Sequence, residues 1–181
     1  MDTEQNSNRR FGGIERLYGT PAWHKLQQAH VTVVGVGGVG SWVVEALARS
    51  GVGHITLIDL DNVAESNVNR QLPAITPLFG MPKVDALQQR VFDINPACKI
   101  TTIEDFVDEV NIATLFTERV DFVVDAIDQV RVKAAMAAWF VRHKQPFVVS
   151  GAAGGQRHPE HIRVADLSQV KNDKLLSNLR Y

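Results

Sequence analysis

The feature that most limits the fold of this chain is the segment at residues 31–41, VTVVGVGGVGS, where an apolar run leads into four glycines within six residues. A strand that turns through glycines into a helix aims the first backbone N–H groups of that helix, and the positive end of its dipole, at one place. Gly35, Gly37 and Gly40 have G-x-G-x-x-G spacing: the first allows a tight turn, the second lets a phosphate approach the backbone, and the third lets helix and strand pack closely. Gly38 removes one more side chain. The segment therefore predicts a site for an anionic group.

Apolar segments with strand and helix periodicity alternate along the rest of the chain. We predict strands at residues 31–34, 54–60, 99–103, 120–125 and 146–150, with a sixth strand beginning at Ile162. We predict helices at residues 21–29, 41–50, 108–116 and 132–140, and another that Pro82 opens. This alternation indicates an α/β fold: a Rossmann-like, doubly wound, mainly parallel sheet with helices on both faces and a ligand crevice at the carboxyl ends of the strands. The polar residues 1–10 are expected to be disordered at their start.

The composition of the 181-residue chain argues against several classes of protein. The single cysteine, Cys98, rules out an internal disulfide and a multi-cysteine zinc site, and fits a reducing compartment. No run of about 18 apolar residues could span a membrane, and the start MDTEQNSNRR lacks the apolar segment of a signal peptide, so we expect a cytoplasmic protein. Residues 140–181 carry seven Lys and Arg against three acids, which leaves open both a nucleic-acid surface and an ordinary solvated face.

Polar residues occur where the predicted strands end, at the same edge of the sheet as the glycines. Asp59 and Asp61 close the second strand about twenty residues after the glycines, where an acid accepts a hydrogen bond from a ribose hydroxyl, and we favour Asp59 for this role. A long polar loop follows at residues 62–80 and contains the run SNVNRQ at residues 66–71. Lys83 lies in the first turn of the next helix, where its charge opposes the helix dipole; an anionic ligand or simple solvation would each account for it.

The charges near the glycines decide which nucleotide fits best. Asn67, Arg70, Lys83 and Asp128 come from loops or helix starts at the carboxyl edge, and they supply an amide, a guanidinium, an ammonium and a magnesium ligand. A triphosphate with a metal needs cations and carboxylates near its outer phosphates, whereas a dinucleotide needs a neutral slot for the nicotinamide. We therefore favour ATP with Mg²⁺, and an NAD-dependent oxidoreductase remains the alternative.

Five motifs in register resemble the ThiF/MoeB/HesA superfamily of adenylating enzymes, which is related to the ubiquitin activators. They are GVGGVGS at residues 35–41, DLD at 59–61, SNVNRQ at 66–71, Lys83, and DAID at 125–128. Within that superfamily, three segments are similar to the family of tRNA threonylcarbamoyladenosine dehydratases. They are RFGG at residues 10–13 with RLYG at 16–19, VDAID at 124–128, and GAAGGQ at 151–156. This likeness extends from Arg10 to Leu167.

The resemblance implies an enzyme that uses ATP to activate the threonyl carboxylate of threonylcarbamoyladenosine in tRNA and then closes it to the cyclic form. By position, it implies that Asp59 holds the ribose and that Asn67, Arg70 and Lys83 hold the phosphates. It also implies that Asp128 holds magnesium. A carboxylate that attacks an α-phosphate needs the repulsion between the two anions screened, and cations at these positions would do so.

The resemblance further implies a homodimer in which an N-terminal arginine reaches the partner's site, with Arg16 as the candidate and Arg10 as the fallback. It divides the chain into an N-terminal extension and helix at residues 1–30, an ATP-binding adenylation domain at 31–167, and the start of a C-terminal part at 168–181. Members of the family continue well beyond that point and carry a cysteine there, which Cys98 does not replace because it follows Asn-Pro at a helix end.

Two further functions stay open beside the oxidoreductase. The same adenylating chemistry could act on the C-terminal carboxylate of a ubiquitin-like sulfur carrier, and a sulfur-transfer partner protein is conceivable on either view. A non-catalytic nucleotide-binding module is the other alternative, which release of pyrophosphate would exclude. His158 and His161 could share a helical face, but the sequence offers no further ligands beside them for a metal site.

Overall fold

The structure, a computed structural model, describes residues 3–180 and contains a five-stranded parallel sheet. The strands are β1 (His30–Val34), β2 (His54–Ile58), β3 (Lys99–Ile103), β4 (Phe122–Asp125) and β5 (Phe147–Val149). Their order across the sheet is β3-β2-β1-β4-β5, so the chain first builds outward from β1 on one side and then adds β4 and β5 on the other. The predicted α/β class with its doubly wound parallel sheet is confirmed.

The helices are α1 (Thr3–Tyr18), α2 (Thr20–Gln28), α3 (Gly40–Arg49), α4 (Lys83–Ile94), α5 (Ile112–Leu115), α6 (Val130–His143) and α7 (Lys174–Leu179). Two apolar clusters show that helices cover both faces of the sheet. Val33 of β1 belongs to the cluster with Val44 of α3 and Leu87 of α4, whereas Val34 belongs to the cluster with Phe140 of α6. Successive residues of a strand point to opposite faces, so β1 is buried on both sides, as its apolar sequence predicts. None of the helices between residues 3 and 180 is both long and apolar enough to cross a membrane.

The N-terminal extension packs against the edge of the sheet where the strands begin. Phe11 of α1 lies against Trp23 of α2, with their ring centroids 5.4 Å apart, and a Cβ at Gly51 would overlap the Trp23 ring. Leu26 of α2 packs against the core and accepts a hydrogen bond from the N–H of Gly53 at 3.0 Å. The chain is helical from Thr3, so the expected disorder at the start of residues 1–10 is wrong from that point on; residues 1 and 2 lie outside the described part.

The predicted sixth strand is also wrong, because the chain from Ile162 is irregular rather than extended beside β5. The alternation of Ile162 and Val164 with polar residues suggested a half-buried strand, but their side chains are 80% and 92% exposed. Without a buried face, nothing holds this segment in the ladder. Short 3-10 turns at Pro159–His161 and Leu167–Gln169 lead instead to α7, which packs against α6.

Candidate nucleotide-binding site

The candidate site lies at the carboxyl edge of the sheet, where β1 and β4 run side by side. The connection from β1 leads toward β2 and that from β4 leads toward β5, on the other side, so the edge between them is the topological switch point at which open α/β sheets bind ligands. A cavity of about 1020 Å³ opens there. Segments that follow all five strands contribute to its wall, which agrees with the predicted crevice.

The four glycines of the loop after β1 divide into two pairs. Gly35 has φ +79°, and a Cβ there would lie 2.8 Å from Cγ2 of Ile127; a Cβ at Gly40 would overlap the Gly35 carbonyl oxygen. By contrast, Gly37 and Gly38 line the cavity, and a Cβ at either would have its nearest neighbour 3.6 Å away. The first pair therefore serves the turn and the close packing of the helix, and the second pair leaves a clear approach to the backbone.

Asp59 joins the end of β2 to the glycine loop. One of its carboxylate oxygens accepts the Val36 N–H at 2.8 Å, and the other accepts the Asp61 N–H at 2.9 Å. A carboxylate has about four acceptor positions, so both oxygens retain capacity for a ribose hydroxyl. The Asp59 side chain lines the cavity. The residue predicted to bind the ribose therefore also holds the glycine loop in place through Val36.

Lys83 lines the cavity, and of the two explanations left open for its charge, simple solvation is wrong. Its side chain is only 5% exposed, and its Nζ lies 2.6 Å from Oδ2 of Asp61 and 4.0 Å from Oδ1 of Asp59. The physical reason is that the apolar stem of lysine can be buried while its ammonium reaches an acid. Charge on this lysine is thus held by two carboxylates at the site, and an arriving phosphate would compete with Asp61 for it.

Arg70 and Asn67 reach the cavity from the loop that follows β2. Arg70 packs beside Gly38, and its Nη1 donates to two acceptors of its own loop at 3.0 and 2.8 Å; its Nη2 makes no hydrogen bond within residues 3–180. Asn67 uses Oδ1 to accept the Ala64 N–H at 3.2 Å, and its amide nitrogen has no hydrogen-bond partner in that part of the chain. Both side chains are therefore held in place while they keep N–H donors for a ligand.

Asp128 stands on the cavity wall with an exposed carboxylate that takes no hydrogen bond or ion pair from any described residue. Mg²⁺ in proteins commonly keeps one or two carboxylates and completes its shell with phosphate oxygens and water. The described residues contain no group of three or more His, Cys, Asp or Glu that could hold a metal alone. A single free carboxylate at the cavity fits a metal whose other ligands are phosphate oxygens and water.

Sequence reasoning missed the buried ion pair beneath the cavity. Lys133 Nζ lies 2.6 Å from Oδ1 of Asp125, and the two side chains are 0% and 1% exposed. Burial raises the pKa of Asp125 and lowers the pKa of Lys133, and their mutual attraction opposes both shifts. A signal for this pair exists in the sequence: Lys133 lies three residues before Met136 and seven before Phe140, which are the other buried positions of α6.

The segment after β5 also closes on the site in a way the sequence did not predict. The Asp173 carboxylate accepts the Ala152 N–H at 3.0 Å and the Leu176 N–H at 2.8 Å, so it fixes this loop and caps α7 at once. A Cβ at Gly151 would overlap that carboxylate, and Leu175 of α7 lines the cavity. A signal for the cap was present, because Asp immediately before a helical segment is a preferred N-cap.

Several other candidates lie away from the cavity wall. Arg10 donates from Nη1 to the carbonyls of Asp93 and Ile94 at 3.0 and 2.8 Å, which caps the end of α4, and Arg16 lies on α1. Neither residue lines the cavity of its own chain. Cys98 is buried, and burial raises the pKa of its thiol to about 11, which makes it unreactive.

The fold and the glycine loop at the cavity define a Rossmann-like α/β protein, and the donors that line the cavity suit a phosphate-bearing ligand. Comparison with known proteins narrows this class, because the ThiF family model matches residues 12–166. The chain therefore belongs to the ThiF family.

Individual relatives agree with this assignment. The chain is 47% identical to tRNA threonylcarbamoyladenosine dehydratase of Haemophilus influenzae over 175 residues, which cover 97% of this chain and 67% of that protein. The crystal structure of Escherichia coli tRNA N6-threonylcarbamoyladenosine dehydratase in complex with ATP superposes with a TM-score of 0.94 at 47% identity, over 96% of this chain and 71% of that one. The molybdopterin-synthase adenylyltransferase of E. coli is 38% identical over 128 residues, covering 71% of this chain and 51% of that protein. The chain thus spans about two thirds of the length of the bacterial dehydratases it matches.

Proposed function

We propose that this protein carries out the ATP-dependent dehydration of threonylcarbamoyladenosine in tRNA by adenylating its carboxylate. The observation that carries the proposal is the convergence of Asn67, Arg70, Lys83 and Asp128, from three separate segments, on one cavity walled by glycines. Such a cluster of donors and one free carboxylate suits the outer phosphates of ATP. The identity to the dehydratases, and the ATP complex of one of them, support the same substrate and the same nucleotide.

The chemistry follows from the charges in the cavity. An oxygen of the threonyl carboxylate attacks the α-phosphorus of ATP, the bond from that phosphorus to the leaving pyrophosphate breaks, and an acyl adenylate forms. A nucleophilic atom of the same threonylcarbamoyl group then attacks the activated carbonyl and AMP leaves, so the net change in the nucleoside is the loss of water. Both halves need negative charge held in place, and this is the contribution that preorganised donors make.

The residues divide this work. Gly37 and Gly38 give the phosphates access to the backbone, while Lys83 and Arg70 hold the charge of the pyrophosphate. Asn67 donates its amide, and Asp59 accepts from the ribose. Asp128 would hold Mg²⁺, which when bound neutralises charge on the phosphates.

We further propose that the protein acts as a homodimer, with Arg16 of one subunit reaching the site of the other. Arg16 lies on α1, outside the cavity of its own chain, so only a partner could bring it to a nucleotide. Arg10 is the weaker candidate because it caps α4. The same proposal includes a cytoplasmic location, which the single cysteine and a tRNA substrate favour. It also includes a sulfur-transfer partner protein.

One alternative retains the site and changes the substrate. The identity to a molybdopterin-synthase adenylyltransferase favours adenylation of the C-terminus of a ubiquitin-like carrier. This relative aligns with less of the chain than the dehydratases do, so we rank it second.

The deciding experiment gives the full-length protein tRNA that carries threonylcarbamoyladenosine, with Mg-ATP, and follows the nucleoside by mass spectrometry. We expect loss of one water from the nucleoside and release of one pyrophosphate for each product. An unchanged nucleoside would reject the proposal. Pyrophosphate released only when a ubiquitin-like carrier is added would establish the alternative.

A further inference from the structure

Asp125 occupies the point where three strands and the wall of the cavity meet. Its carbonyl oxygen accepts the Ser150 N–H at 2.8 Å, and the next residue, Ala126, donates to the Val34 carbonyl at 2.8 Å. Its carboxylate accepts the Ile127 N–H at 3.2 Å. The backbone turn that ends at Asp128 is therefore shaped at Asp125.

That turn bears directly on the glycine loop. A Cβ at Gly35 would meet Ile127 at its Cγ2 and at its backbone nitrogen, 2.8 and 3.0 Å away, so the two loops are in close contact. A shift of the turn would move Asp128 relative to the loop that cradles the phosphates. The site thus depends on a fixed turn after β4.

Lys133 is what holds Asp125 from the other side. Its Nζ lies 2.6 Å from the Asp125 carboxylate and 3.4 Å from the Asp125 carbonyl oxygen, and no part of its side chain is exposed. It sits in the first turn of α6, where the helix dipole disfavours a cation, and the carboxylates of Asp128 and Asp173 also act on it.

The buried ion pair of Lys133 and Asp125 is a poor source of folding stability. Well-packed apolar residues of similar volume commonly match or exceed the stability of a buried ion pair, because both charges lose their water. The second oxygen of Asp125, Oδ2, is buried without a hydrogen-bond partner among the described residues, which adds to the cost. A pair retained at this cost calls for a geometric reason, and the adjacent turn supplies one.

We infer that Lys133 is a positioning residue for the nucleotide site: through Asp125 it fixes the turn that presents the Asp128 carboxylate to the metal-bound phosphates. This inference rests on the proposed function of the cavity, and it adds a residue that does not itself line the cavity. Lys133 acts through Asp125 on the position of Asp128 and has no place on the cavity wall itself.

The test is a coupling cycle in ATP binding. Calorimetry on the full chain measures the affinity for ATP with Mg²⁺ and with a chelator, for the wild type, Lys133→Met, Asp128→Asn and the double variant. We expect Lys133→Met and Asp128→Asn each to lower the affinity gain from Mg²⁺ by roughly tenfold, the scale of a coupled neighbour pair. In the Asp128→Asn background, Lys133→Met should change this gain less than about twofold.

Two further variants separate positioning from folding. Asp125→Asn combined with Lys133→Met removes both charges at nearly constant volume, so it should fold and still lose the Mg²⁺-dependent gain. Met136→Ala, at a fully buried position one turn further along α6, should lower the thermal midpoint without affecting that gain.

The outcomes are distinct. Equal effects of Lys133→Met in both backgrounds, or an Asp128→Asn variant that keeps the full Mg²⁺ gain, would overturn the inference. If instead the wild type binds Mg-ATP with the expected coupling but leaves threonylcarbamoyladenosine unchanged, the proposed function fails while the positioning role stands.

Discussion

The polar groups at the carboxyl ends of the strands differ from those at the amino ends in whether they are paired within the protein. At the carboxyl edge, Arg70 and Asp128 keep donors or acceptors that no described residue uses, beside a cavity of about 1020 Å³. At the amino edge, His30 and His54 stack with ring centroids 3.6 Å apart, and each ring nitrogen Nε2 pairs with a threonine hydroxyl, at 2.8 and 3.0 Å. These two histidines and two threonines are hydrogen-bonded to one another within the protein.

This difference teaches where function should be sought in the molecule. A polar group satisfied within the protein contributes to one folded arrangement, whereas a fixed group with spare hydrogen-bonding capacity is available to a ligand. Substitutions at the carboxyl edge should therefore act on binding and turnover, and substitutions at the amino edge should act on stability. The predictions below test that division.

The largest effect should come from Gly37→Val, which places a branched side chain where the phosphate must approach. We expect no saturable ATP binding by calorimetry, with a thermal midpoint close to that of the wild type because a Cβ at this position would meet only Nε2 of Gln71, at an ordinary contact distance of 3.6 Å. Gly13→Ala is the matched control, since a Cβ there has no neighbour within 4 Å and the residue lies in α1; it should bind ATP normally. ATP binding that survives in Gly37→Val would place the phosphates elsewhere.

Arg70→Ala should come next. Removal of one preorganised donor from a charged transition state lowers turnover by roughly 10²–10³-fold. The arginine is exposed, so the free energy of unfolding should change by no more than about 0.5 kcal/mol. Pyrophosphate release and chemical denaturation measured on the same preparation check both numbers, and parallel losses in the two would show that Arg70 is structural.

Lys83→Met tests a residue that should affect both turnover and stability. Its side chain lines the cavity, and its ammonium is also paired with Asp59 and Asp61, so its removal leaves those carboxylates without their cation. We expect turnover to fall as for Arg70→Ala, together with a loss of about 1–3 kcal/mol in the free energy of unfolding. Denaturation in urea measures the second effect. A stability equal to that of the wild type would mean that the ion pair with Asp61 contributes nothing to folding.

The sequence was informative for most features that depend on neighbouring residues, although it did not predict α1. The glycine spacing located a strand-to-helix turn, and the apolar runs located all five strands, because strand and helix periodicity is a property of neighbouring residues. The same holds for the family resemblance, which rests on short runs such as DAID at residues 125–128. Boundaries moved by a few residues at most, as for β2, which ends at Ile58 rather than at residue 60.

What could not be predicted depends on contacts between distant segments. The burial of Lys83 depends on Asp61, and the hydrogen bond that Asp173 accepts from the Ala152 N–H depends on a loop that follows β5. The sequence analysis did not single out Lys133, because only the fold shows that Asp125 lies opposite it. The strand predicted from Ile162 was wrong because a distant contact is missing rather than present. The local periodicity was that of a strand, but Ile162 is not buried against the rest of the described chain.

The smallest expected effect lies at the amino edge and follows from pH. Burial lowers the pKa of both histidines, and the neighbouring His30 lowers the pKa of His54 further. Lys99 also lowers both pKa values, whereas Glu118 raises both and Asp121 raises that of His30. A histidine whose pKa is lower in the folded state than its ordinary value near 6.5 binds protons preferentially when unfolded, so its contribution to stability is complete above that value and is lost as the pH falls through it. We therefore expect the free energy of unfolding to decline between about pH 7 and pH 5, and the decline to be shallower when His30→Gln and His54→Gln are combined. Denaturation across this range measures the decline in the free energy of unfolding, and Mg-ATP affinity at pH 7 is the comparison. If the two ends of the sheet are independent, the double variant binds Mg-ATP as the wild type does. A loss of ATP affinity would show that the two ends are coupled through β1 and β2.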